Sequence, residues 1–165
     1  MRTLIAYQSK YGTTAACARA LAEKIGGDVD LANLSETEEV GLRDYEVIII
    51  GGAIYGGKLQ RKAVLFCERN RKALLQRRVG IFLCCLYQGE AALRQLQSAF
   101  PDWLLAHAFA RALPGGEVHY DRLTFFDRLL VRGLARGGEE LLRMRTKELD
   151  DLAAAVKSFD RPIDH

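Results

Sequence analysis

This sequence of 165 residues has no long apolar run. A membrane-crossing helix needs about 20 mostly apolar residues, and no stretch supplies them. The opening "MRTLIAYQSK" carries an apolar core too short for a secretory leader. Cytoplasmic residence is therefore expected. Metal-ligand spacing is also missing. The four cysteines, Cys17, Cys67, Cys84 and Cys85, form no CxxC pair, and the three histidines are scattered. Buried free thiols are the expectation, with adjacent Cys84 and Cys85 on opposite sides of a strand. Two nucleotide-binding strings are absent as well: G-x-x-x-x-G-K-[ST], and G-x-G-x-x-G after the first strand. The net charge of +3 is too mild for a nucleic-acid binder, which would show a dense basic patch with stacking aromatics.

What is present is alternation. "RTLIAY" (2–7) reads as a strand, and "TTAACARALAEKIGG" as a helix capped by Thr13 or Thr14 and ended by Gly26-Gly27. "DVDLANL" (28–34) alternates like a half-exposed edge strand. "YEVIIIGG" (45–52) and "VGIFLCCL" (79–86) read as strands buried on both faces. Helical spacing covers 59–75 and 89–100, and residues 104–113 after Pro101 are expected to be a strand. A last helix over 146–159 puts Leu149, Leu152, Ala153, Val156 and Phe159 on one face. Strands alternating with helices imply a parallel sheet covered on both sides, in one domain spanning 1–165.

Between the first strand and first helix lies "QSKYGTT". Amides in a helix's first turn lack internal partners and sit at the positive end of its dipole. Ser9, Tyr11, Thr13 and Thr14 add hydroxyls, Lys10 adds a cation, and Gly12 lets the chain turn closely around an anion. A phosphate is the expected guest. A routine helix cap is the plain alternative.

The loop resembles the phosphate loop of the flavodoxins, roughly [ST]-x-[ST]-G-x-T. Ser9, Gly12 and Thr14 match, and Tyr11 replaces the usual small hydroxyl residue. The resemblance implies an α/β fold: a flavodoxin-like, doubly wound, five-stranded parallel sheet of order 2-1-3-4-5. It also implies FMN as cofactor, its ring between the loops after the third and fourth strands. Those loops contain Ala53, Ile54, Tyr55, Gly56 and Gly57, and Cys85, Leu86 and Tyr87. Tyr55 and Tyr87 would each cover a ring face, and glycines 51, 52, 56 and 57 would bring backbone amides to its edge.

Residues 114–145 form a basic amphipathic insertion before the last helix. Leu123, Phe126, Leu129, Leu130 and Leu134 share one face, while Arg128, Arg132 and Arg136 follow one flank. With Arg122, these arginines are candidates for substrate or membrane contact. Between 111 and 147, eight Lys or Arg stand against five Asp or Glu. A helix packed on the domain with solvated arginines is the plain alternative to one lying on an anionic membrane. "YDRLTFFDRLLVRGLARGGEE" (120–140) and "VIIIGGAIYGG" (47–57) resemble the menaquinone-dependent protoporphyrinogen oxidase (dehydrogenase) branch. That resemblance implies electron transfer from a porphyrinogen to menaquinone or a similar quinone, in heme biosynthesis, at the inner face of the cell membrane. A soluble electron carrier between proteins is the alternative, although such carriers are typically acidic. A regulatory protein with a vestigial flavin site is a third. No acid or base residue is signalled, and His107 and His119 read as structural or solvated. The oligomeric state, including a homo-oligomer, stays open.

Overall fold

A computed structural model describes residues 1–10, 12–37, 39–55, 58–85, 89–114 and 146–161. Five parallel strands form the sheet: β1 (Arg2–Tyr7), β2 (Asp28–Asn33), β3 (Val47–Tyr55), β5 (Arg78–Cys84) and β6 (Ala110–Ala112). A two-residue strand, β4 (Lys58–Leu59), folds back antiparallel on the end of β3. The spatial order is β2-β1-β3-β5-β6, which is the expected order once β4 is set aside. The β1–β2, β3–β5 and β5–β6 crossovers carry helices, whereas the long connection from β2 to β3 shows none among its described residues.

Helix α1 (Thr13–Ile25) and the final helix α6 (Thr146–Ser158) cover one face of the sheet. Val47 and Ile49 of β3 point to that side, packing with Leu21, Leu149, Leu152 and Val156. Ile48 and Ile50 point to the other side, against α2 (Arg61–Arg69), α3 (Arg71–Leu75), α4 (Gly89–Ala99) and α5 (Asp102–His107). An uninterrupted β-branched run suits a strand with cores on both sides. The edge strand β2 has no fully buried residue. Cys84 and Cys85 fall into opposite cores, as strand alternation dictates, and all four cysteines are buried and outside any disulfide.

Three expectations need correction. The strand expected over 104–113 is a short helix, Asp102–His107, followed by a three-residue strand. Pro101 sits at the helix N-cap and Asp102 favours the positive end of the dipole, so proline opens a helix here. The helix expected over 59–75 breaks at Asn70, whose side chain donates to the Phe66 carbonyl. The third strand runs beyond Gly52 to Tyr55.

Candidate functional site

The switch point of the sheet lies between β1 and β3, because the chain winds outward from there in both directions. Strand β1 ends at Tyr7, which pairs with Gly51, whereas β3 continues four residues further. Past that point the Gln8 amide still donates to the Gly51 carbonyl, and the Ala53 amide of β3 meets the Gln60 side chain in place of a strand. Residues 8–10 and 12 follow β1 at this C-terminal edge of the sheet.

Gly12 occupies the N-cap of α1 with φ 92°, a left-handed conformation that glycine takes without strain. The Ser9 hydroxyl oxygen accepts hydrogen bonds from the Gly12 amide at 3.1 Å and the Ala15 amide at 3.3 Å. Two main-chain N–H groups thus converge on one oxygen at the positive end of a thirteen-residue helix. The cap is made by Ser9 across the turn, rather than by Thr13 or Thr14. Ser35, beyond β2, donates its hydroxyl to the Ser9 carbonyl at 3.3 Å and holds the loop from outside.

Thr14 is 2% exposed. Its side chain lies beside Cys84 and acts on that thiol's pKa in the lowering direction. The Cys84 thiol donates to the Cys17 sulfur at 3.5 Å, and that bond together with burial holds the Cys84 pKa well above the ordinary thiol range. The Cys84–Cys17 contact therefore ties α1 to the end of β5, with Thr14 alongside. Lys10 is exposed and Thr13 half-exposed beside them.

On the third-strand side, Ala53 is buried, and Ile54 packs against the α2 core. The backbone of Tyr55 closes β3, pairing with Lys58. Gly51 and Gly52 have a packing explanation. A Cβ at Gly51 would lie 2.0 Å from Cζ of Phe82, and one at Gly52 would lie 2.6 Å from a Leu59 methyl. They admit an aromatic ring and the folded-back β4, so their role is inside the sheet. Tyr11, Gly56, Gly57, Leu86 and Tyr87 lie outside the described residues. So does 115–145, with Arg122, Arg128, Arg132, Arg136 and His119. His107 is at the opposite end of the sheet, where its Nε2 bonds the Arg77 carbonyl at 2.7 Å.

Sequence reasoning missed two glutamines. Gln8 accepts the Ala63 amide of α2 at 3.0 Å, and Gln60 accepts the Ala53 amide at 3.3 Å. The position of Gln60 just before a helix was the available signal, because glutamine is not a favoured cap. A cavity of about 160 Å³ between Leu34, Thr37 and the outer side of α2 contains none of the expected site residues. Among the described residues, no cluster of His, Cys, Asp or Glu has metal-binding geometry, and no helix is long and apolar enough to cross a membrane.

The sequence model of the Flavodoxin domain matches residues 4–140. The chain belongs to the flavodoxin-domain family. No curated protein sequence matches it. Solved flavodoxin structures share the fold at low identity. Oxidised Flavodoxin 1 from Bacillus cereus is 16% identical, with 96% of this chain and 98% of that one covered and a TM-score of 0.55. A flavoprotein from Lactobacillus acidophilus, solved in complex with FMN, is 15% identical, with 67% and 91% covered and a TM-score of 0.50. Rubredoxin oxygen:oxidoreductase from Desulfovibrio gigas is 18% identical with a TM-score of 0.52. There, 94% of this chain spans only 37% of the other, so this flavodoxin domain corresponds to part of a larger enzyme.

Proposed function

We propose that this flavodoxin-family protein is an FMN-dependent oxidoreductase that oxidises a porphyrinogen and reduces a menaquinone-like quinone. The observation supporting the cofactor is the pair of amides, Gly12 and Ala15, aimed at one oxygen. Donors so arranged fit a phosphate, whose oxygens would replace the Ser9 hydroxyl and free it to donate in turn. Neutral donors suffice because the helix dipole supplies the positive field. FMN, when bound, supplies the redox chemistry, accepting electrons from a reduced substrate and yielding them to an acceptor. The chain's own part is to hold the nucleotide by loop 8–14 and to border its ring with the third-strand hairpin and the segment after Cys85.

The choice of substrate rests on the likeness of 120–140 and 47–57 to the protoporphyrinogen oxidase branch, together with the arginines of the insertion. Guanidinium groups pair bidentately with carboxylates, such as tetrapyrrole propionates. The same arginines suit anionic headgroups at a membrane where a quinone resides. A protein-to-protein electron carrier is the competing reading. The full-length match to a flavodoxin favours it, and the net charge of +3 weighs against it.

Titration with FMN, followed by quenching of flavin fluorescence, tests the cofactor. Saturable micromolar binding is expected, weakened about tenfold or more in Ser9→Ala, because hydrogen bonds to a charged group contribute about 1.5–3 kcal/mol. Anaerobic porphyrinogen oxidation with a menaquinone analogue tests the reaction. Oxidation that persists at the same rate when 114–145 is deleted would remove the insertion from the mechanism.

A further inference from the structure

Gln60 breaks a local rule. It stands at the N-cap of α2, where serine, threonine, aspartate or asparagine is preferred, and its side chain makes no cap hydrogen bond. The α2 amide at Ala63 is served from outside by Gln8. The Gln60 side chain instead turns back to β3, is buried with the residue only 8% exposed, and accepts the Ala53 amide. A buried polar side chain that neglects its own helix points to a demand elsewhere.

The demand comes from the sheet. The Gly51 carbonyl bonds the Gln8 amide of the chain leaving β1. Main-chain groups two residues apart face the same neighbour, so Ala53 also faces the β1 side, past the point where β1 has ended. An unpaired buried amide there would be costly. Gln60 provides the missing acceptor, and Leu59 packs into the space over Gly52. Together they hold the return of β3 through Ile54–Leu59 and Tyr55–Lys58 pairing.

We propose that Gln60 is a positioning residue of the cofactor site: its side-chain amide stands in for the missing end of β1 and fixes the third-strand hairpin against which the flavin ring is held. This rests on the FMN reading above. Gln60 reaches the cofactor only through Ala53 and the hairpin.

The test compares Gln60→Leu, which keeps an apolar side chain of similar bulk and removes the acceptor, with Gln60→Glu, which keeps an acceptor oxygen. Three quantities are measured: FMN affinity by fluorescence quenching, the visible circular dichroism of bound FMN, and amide exchange over 53–59 without FMN. The leucine variant is expected to weaken FMN about tenfold, alter the flavin dichroism and speed exchange over 53–59 at least tenfold. The glutamate variant should stay within about threefold of wild type. If the leucine variant does not fold, Gln60→Asn withdraws the acceptor by one methylene and should shift all three quantities in the same direction. Wild-type affinity and dichroism in the leucine variant, or in the asparagine variant where leucine does not fold, would overturn the proposal. So would faster exchange across the whole sheet, which marks a general stability role. If wild type itself binds no FMN, the functional reading fails first, and this proposal fails with it. Normal wild-type binding that ignores the substitution sinks this proposal alone.

Discussion

The two ends of the sheet are built from different chemistry. At the N-terminal end, charges meet charges and rings. Arg2 reaches Asp30 at 2.9 Å and lies 5.0 Å from the Tyr45 ring centre, while the Tyr45 hydroxyl donates to Asp30 at 2.7 Å. The N-terminal amine approaches Asp160 at 3.7 Å, and Arg78 lies 4.2 Å above the Phe159 ring. At the C-terminal end, hydroxyl and amide side chains bond the backbone: Ser9, Ser35, Gln8 and Gln60. The first arrangement closes on itself. The second uses neutral groups that hold loops in place and that an incoming anion can displace at Ser9. The FMN site proposed above lies at the second end, and the first keeps the strands aligned.

Substitutions at the two ends should therefore separate. The largest effect is expected from Gly51→Val. A side chain there would overlap the Phe82 ring, and overpacking of this severity costs about 3 kcal/mol, measured as a fall in the urea midpoint. Next is Gly12→Val. Its left-handed backbone would cost about 1–2 kcal/mol, and FMN affinity should fall at least tenfold in a fluorescence titration. A fall in stability with FMN affinity intact would contradict the division. Tyr45→Phe, at the other end, removes the hydrogen bond to Asp30. It should cost about 1 kcal/mol and leave FMN affinity unchanged; weakened FMN binding would show that the two ends are coupled.

The smallest effect concerns pH. Burial pushes the Cys67 thiol up to about 12, from an ordinary 9.0. The folded state then holds a proton that the unfolded chain has lost, so stability from this group is full below pH 9 and declines as pH rises towards 12. Cys67→Ala should flatten that decline by up to one proton, read from urea midpoints across the window. An unchanged slope would mean that another group controls it.

Much of this was legible in the sequence because local chemistry and tertiary structure agree. The β-branched run at 47–50 has two cores to fill, and of the expected stripe Leu149, Leu152, Ala153 and Val156 are buried and Phe159 is partly buried against the same core. The loop at Ser9 and Gly12 could be read from spacing, since a left-handed glycine before a helix is a local feature. The partner of Gly51 could not. Phe82 is far away in sequence, and a Gly-Gly pair inside a strand looks like a loop until its neighbour is known. The neighbour of Thr14 was hidden for a similar reason: a hydroxyl in a first helical turn suits a ligand or a cap, and its place beside Cys84 on β5 is set by tertiary packing. The helix at 102–107 was hidden by its brevity, because one and a half turns show no period.

The early stop of β1 has one more consequence. Past Tyr7 the β1 side of β3 is a shortfall of main chain, like a missing step in a staircase, and a side chain, Gln60, fills the step. Two extra residues spliced in after Tyr7 could zip the gap shut with ordinary ladder bonds. A nucleotide protein would then become an inert sheet, with every residue of its loops still in the sequence.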